Sequence, residues 1–160
     1  MKITTLDIEL AVVARFGVRQ NVIVPNISWG LGIHECDLLI VTNAGYAIEV
    51  EIKISKADLK KDALKGHGHV DKRIKALYFA IPENLISCTE LIPDRAGIFI
   101  VRDYASNGPY FCECVRKPTI NKTAHKLTPT EYFKVAHLGA MRIWGLKRTI
   151  RDRAREVSNI

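Results

Sequence analysis

Apolar and polar positions along this chain alternate between two periods, and the switches mark its elements. At the start, Leu6, Leu10 and Val13 share one helical face that also carries Glu9, while Ile8, Ala11 and Val12 offer a rival stripe. Thr4 or Thr5 caps this helix and Gly17 ends it near Phe16. A short strand is predicted over 21–24, closed by Pro25, then a turn at Trp29-Gly30-Leu31-Gly32. Residues 36–41 and 46–54 read as a hairpin turning at Asn43-Ala44-Gly45. Ser55 caps a helix to about Lys65, broken by Gly66 and Gly68. Beyond it, 76–81 is a wholly apolar strand closed by Pro82, with a short helix over 83–87. An interior strand follows over 97–101 and an edge strand over 110–115. After a polar loop, Thr128-Pro129-Thr130-Glu131 opens a last helix. Its stripe is Tyr132, Val135, Leu138, Ile143, Trp144 and Leu146, and its charged end over 148–155 is expected to fray.

Strand, helix and strand around 55–65 imply a crossover between near-parallel strands. The expected architecture is therefore α/β: a central mixed sheet flanked by helices, ending in a basic helix. Residues 1–115 form the core, and 116–160 a basic extension packed on the same domain. A chain of 160 residues, 48% hydrophobic and 26% charged, can bury a core without disulfide staples. No apolar run matches a bilayer span and the first residues lack a signal peptide's pattern, so the expectation is a cytoplasmic protein with no membrane partner. Cys36, Cys88, Cys112 and Cys114 are then reduced thiols, and Cys112-x-Cys114 lacks zinc-site spacing. They read as small buried hydrophobes.

The formal charge of +7 is unevenly spread. Residues 116–156 hold eleven lysines and arginines against Glu131, Asp152 and Glu156, whereas 1–115 are nearly neutral. Such a basic run is either a solvated helix face or an arm that contacts phosphates. Arg148, Arg151, Arg153 and Arg155 are its candidates for sequence-independent contact with DNA.

The candidate chemistry lies in the hairpin. Glu49, Glu51 and Lys53 alternate with Val50, Ile52 and Ile54 amid strongly apolar surroundings. Charges so placed are costly to bury unless they bind one another or a cation. Glu51 and Lys53 project from one face, and the hairpin brings Asp37 toward Glu51. Two carboxylates meeting at a sheet edge offer hard oxygen ligands for Mg²⁺ (or Mn²⁺), and a neighbouring lysine can orient a water or steady a phosphate. That set suits metal-assisted phosphodiester hydrolysis; the alternative reading is a cross-strand ion pair on a solvated face.

Asp37, thirteen intervening residues and Glu51-Ile52-Lys53 resemble the signature of the PD-(D/E)XK nuclease superfamily. The run Glu51 to Leu59, followed by 77–82, is similar more narrowly to MmcB-type DNA-repair proteins and related phage nucleases. The resemblance covers about residues 3–103. It implies a restriction-endonuclease-like core and a Mg²⁺- or Mn²⁺-dependent deoxyribonuclease acting in repair, recombination or mobile-element DNA processing. It further implies Asp37 and Glu51 as metal ligands, Lys53 serving the attacking water, and Glu9 on the first helix joining them. Cys36 stands where the superfamily often has proline. A non-catalytic DNA-binding scaffold that keeps the fold is the alternative, and RNA cleavage fits the same residues. Lys56, with Lys60 and Lys61, reads equally as a DNA-lining group or an ordinary surface lysine. Glu49 is either a ligand or a supporting partner. His67 and His69 are either metal ligands or phosphate contacts or, the favoured reading, histidines of a polar loop without purpose, and Trp29 reads as a packing residue ahead of a base-stacking one. Oligomeric state stays open, a homodimer included.

Overall fold

The period-2 runs assemble into one six-stranded sheet whose spatial order follows the chain. In the computed structural model, which describes residues 3–27, 31–65, 68–103 and 110–158, the strands are β1 (Val22–Ile27), β2 (Cys36–Val41), β3 (Ala47–Ile52), β4 (Ile74–Pro82), β5 (Gly97–Arg102) and β6 (Phe111–Arg116). Trp29, Gly30, Gly66 and His67 lie outside the described residues. The helices are α1 (Thr5–Phe16), α2 (Lys56–Ala63) and α3 (Pro129–Ser158), with a 3₁₀ segment over Glu83–Leu91. β1, β2 and β3 pair antiparallel; β3–β4 and β4–β5 are parallel; β6 closes the edge antiparallel. The α/β class and the mixed sheet flanked by helices are thus as expected, and α2 is the crossover between parallel β3 and β4.

Three details differ from the sequence reading. β1 runs through Pro25, which pairs with Leu38. An edge strand tolerates a residue without N–H, and Asn26 follows in a left-handed conformation (φ 51°). On α1 the rival stripe wins: Ile8, Ala11 and Val12 are buried, whereas Leu6 and Leu10 are 60% and 58% exposed. Small Ala11 between two β-branched side chains lets the helix lie close over Leu38, Ile40 and Val50. The segment after Pro82 is a 3₁₀ helix that extends to Leu91.

The long final helix departs most. A box of Thr128 and Glu131 caps it: the Thr128 N–H donates to Glu131 Oε2 (2.8 Å) and the Glu131 N–H to Thr128 Oγ1 (3.2 Å). Val135 and Leu138 then pack over β1 and β2. Gly139 permits that approach, because a Cβ there would stand 3.2 Å from Val24 Cγ2. One turn later Arg142 donates to the Asn26 carbonyl (2.6 Å). The five-position step from Leu138 turns Ile143, and with it Trp144, away from the sheet, whereas Leu146 keeps the face of Val135 but lies a turn beyond the Arg142 contact. All three are exposed, as is Tyr132, so only Val135 and Leu138 of the expected stripe are core. The charged end does not fray but continues helical to Ser158. Among the described residues no helix is long and apolar enough to cross a membrane.

The sheet carries α1 on one face. The other face holds two apolar clusters, one under α3 built on β1 and β2, the other under α2 and the 3₁₀ segment built on β4 and β5. Central strand β3 runs between them. The four cysteines form no disulfide and, Cys114 apart, are buried; burial pushes the Cys112 thiol up to about 12, so it stays a protonated hydrophobe.

Candidate active site

Alternation along β3 sends Val50 and Ile52 into the α1 core and Glu49 and Glu51 to the opposite face. Glu49 pairs across the ladders with Leu39 on one side and Leu77 on the other, each from a different apolar cluster. The charged residues therefore occupy the seam between those clusters. Glu49, Glu51 and Lys53 are all buried, with Glu49 fully inaccessible.

Past the Leu38–Val50 pair the two strands of the hairpin part. There Asp37 Oδ2 accepts from the Ile52 amide (2.7 Å) and lies 3.4 Å from Lys53 Nζ. Lys53 Nζ also donates to Glu51 Oε2 (2.5 Å) and stands 3.1 Å from Asp62 Oδ1. The structure thus brings Asp37, Glu51 and Lys53 together. α2 supplies a third carboxylate: Ser55 caps the helix, Leu59 packs into the core, and Asp62, three residues on, shares that inward side. Lys65 Nζ reaches Asp62 Oδ1 (2.7 Å) and Glu51 Oε2 (3.4 Å).

Beyond this group the polar chain continues inward. His69 Nε2 contacts Asp62 Oδ2 (2.8 Å), His69 Nδ1 contacts Glu49 Oε1 (2.6 Å), and His34 Nε2 contacts Glu49 Oε2 (2.8 Å). Gly68 and His69 both adopt left-handed backbone, φ 53° and 55°, which turns the imidazole into the sheet. Arg95 pins that turn by donating to the Gly68 and His69 carbonyls. His69 is therefore a buried member of the network, contrary to the reading of a polar loop without purpose. His34, Asp62 and Lys65 were also not singled out from the sequence. Asp62 left one usable signal, its three-residue spacing from Leu59 on a capped helix; His69 left only the His-Gly-His run, and His34 left none, because loops carry no periodicity.

The electrostatics follow from this packing. Burial pushes the Glu51 carboxyl up, Asp37 pushes it further, and Lys53 and Lys65 offset only part of the rise. Burial disfavours the Lys53 ammonium, yet Glu51, Asp37 and Asp62 overcome that and hold its pKa above the usual lysine value. Burial likewise raises Glu49 and Asp62, but hydrogen bonds outweigh it and keep both below the ordinary carboxylate range. His69, between those two carboxylates, overcomes its burial and is raised to about 9. Glu51 Oε1 is buried and has no hydrogen-bond partner among the described residues.

The basic sequence candidates sit apart, whereas Glu9 is near enough to Asp37 to feel its charge. Glu9 is half-buried on α1, across the sheet from Glu51; burial first, and then the Asp37 charge, raise its pKa. Lys56 is exposed at the start of α2. Arg148, Arg151, Arg153 and Arg155 are exposed on the outer part of α3, where Arg151 pairs with Asp152 (2.8 Å).

No family model matches the sequence. No curated protein matches it either. Among solved structures, a protein of unknown function from Silicibacter pomeroyi is similar over 96% of each chain, with a TM-score of 0.65 at 20% identity. That likeness is one of fold.

Proposed function

We propose that this protein is a Mg²⁺- or Mn²⁺-dependent deoxyribonuclease of the PD-(D/E)XK type. The observation that carries the reading is the meeting of Asp37, Glu51 and Asp62 around Lys53 Nζ where β2 and β3 part. The donor set fits a hard divalent cation, because Glu51 Oε1 is a buried carboxylate oxygen with no hydrogen bond to lose. Asp37 and Glu51 would hold the ion, which supplies Lewis acidity toward a phosphoryl oxygen and acidifies a bound water. Lys53 is kept as an ammonium by three carboxylates, so its role is a charged donor that orients water and phosphate. Asp62 and Lys65 hold that ammonium in place from α2. Glu9 adds negative charge from the α1 side. Outside the site, Lys56 and the four α3 arginines would track the DNA backbone without reading sequence.

A second reading, a DNA-binding scaffold of the same fold, draws support from the lysines that already neutralise Glu51 and Asp62. Cleavage of plasmid and oligonucleotide DNA with Mg²⁺ or Mn²⁺ separates the two. We expect cleavage that EDTA abolishes and that falls by at least about 100-fold in Asp37→Ala, Glu51→Gln and Lys53→Ala. Activity unchanged in those variants would overturn the assignment. Salt-dependent DNA binding, lost in an Arg148/151/153/155→Ala variant, together with no cleavage and no Mn²⁺-induced rise in Tm, would establish the scaffold instead.

A further inference from the structure

The inner half of the polar seam differs in chemistry from the outer half. Asp37, Glu51 and Asp62 offer only oxygen. Farther in, a ring nitrogen of His34, a ring nitrogen of His69 and a Glu49 carboxylate oxygen all lie within 4.8 Å of one another. The two rings meet edge to face with centroids 5.3 Å apart, and both point at Glu49, one toward each of its oxygens. We infer that His34, Glu49 and His69 form a second metal site, one for a borderline transition ion such as Zn²⁺.

Three observations support it. Two imidazoles and one carboxylate suit Zn²⁺, Co²⁺ or Ni²⁺ and suit Mg²⁺ poorly. The ligands are rigidly mounted: Glu49 is on the central strand and wholly buried, and His69 is fixed by a left-handed turn that Arg95 holds. Such a backbone conformation is costly for a residue with a side chain and persists where its surroundings enforce it. Last, His69 has the outer partner that metal-bound histidines commonly have. Its Nε2 faces Asp62 Oδ2 at 2.8 Å, an arrangement that fixes Nε2–H and leaves Nδ1 for the ion.

When the ion enters, His69 gives up its Nδ1 proton to solvent, and the short His69–Glu49 hydrogen bond is replaced by ligation of both groups. The metal then joins three segments that are distant in sequence: the β1–β2 connection, β3, and the α2–β4 connection. Through His69 it also fixes Asp62, and through Asp62 the Lys53 ammonium. Its role is to position the outer group, and it stands whether or not that group hydrolyses DNA.

The test uses the full chain stripped with chelator and titrated with Co²⁺, then Zn²⁺, in excess Mg²⁺ so that hard-oxygen sites are occupied. We expect one tight equivalent, visible Co²⁺ d–d bands, and a Zn-edge X-ray absorption spectrum with two imidazole ligands. Binding should persist in Asp37→Ala, which disables only the outer group, and weaken by at least about 100-fold in His34→Ala and Glu49→Gln. Circular dichroism of the metal-free variants verifies that they fold, and the wild-type absorption spectrum reads the ligands without any substitution. Absence of Zn²⁺ and Co²⁺ binding by the wild-type chain would overturn the inference and leave His69 as a bridging imidazolium. Binding that survives His34→Ala, or that vanishes in Asp37→Ala, would overturn it as well.

Discussion

Charged groups lie inside this protein and large apolar groups outside it. In the seam over β3, Glu49, Glu51, Asp62, Lys53 and His69 are buried between two apolar clusters, joined by half-buried His34 and by Asp37 and Lys65 at the open end, whose side chains are 38% and 37% exposed. On the outer part of α3, Ile143, Trp144, Leu146 and Ile150 face solvent, with Trp144 62% exposed. Hydropathy alone would have placed each set the other way. What decides is whether the chain brings partners: each seam charge meets an opposite charge within 4.0 Å, whereas α3 has contacted its last strand by Arg142. A buried ion pair is strained electrostatics held by geometry. An exposed leucine or tryptophan costs little in the monomer.

The largest effect that would break this comparison comes from opening the seam. In metal-free protein, His69→Ala leaves Glu49 and Asp62 buried without the donor they share. We expect a loss of about 3–5 kcal/mol in urea unfolding, the scale of two buried charge-assisted hydrogen bonds, with His34 still facing Glu49 and Lys53 and Lys65 still facing Asp62. A loss below about 1 kcal/mol would mean that water reaches the seam and that its charges are not truly buried. The same substitution on a solvated ion pair, for instance removal of Asp152 beside Arg151, should change almost nothing.

The next largest effect separates the two halves of α3. Leu138→Ala removes a 94%-buried side chain from the cluster beneath the helix and should cost about 2–3 kcal/mol. Trp144→Ala deletes a larger side chain six residues on, yet its expected cost stays within about 0.5 kcal/mol. Equal losses would show that the outer face of α3 is covered in solution, since a side chain that meets only water contributes little on truncation.

These contrasts also explain how much could be read from the sequence. Where burial follows a period, the reading held: Thr4 and Gly17 bracket α1, Ser55 starts α2, 36–41 is a strand, and the interior strand expected over 97–101 forms with Arg102 added. The Asp37, Glu51 and Lys53 meeting was legible because a two-residue period and a hairpin together fix three positions on one face. Two stripes on α1 had equal claim, and only the sheet could choose Ile8, Ala11 and Val12. On α3 a run of apolar residues looked like one stripe, although the five-residue step from Leu138 to Ile143 breaks it. His34 and His69 come from connections, and the course of the one that holds His69 is set by Gly68, Arg95 and the left-handed turn. No hydrophobic pattern encodes that.

The smallest effect lies where the two regions join. Glu131 caps α3 through Thr128 and also faces Arg73 at 3.4 Å, while Arg73 donates to Asp71 and to the Leu31 carbonyl. The Thr128 amide holds the Glu131 carboxyl below its usual value, against a small opposing effect of burial. A depressed folded pKa stabilises the native state above the unfolded value of about 4.3, and this contribution disappears as pH falls through the folded value. Glu131→Gln keeps an acceptor but loses the charge. At pH 7 it should cost about 0.5–1 kcal/mol, the scale of a partly exposed helix cap. Between pH 5 and about 3 the wild type should lose that advantage and its unfolding curve should converge on the variant's. If the two curves stay parallel over that range, the charge at the join does not anchor α3, and the helix is held to the body by Val135, Leu138 and Arg142 instead.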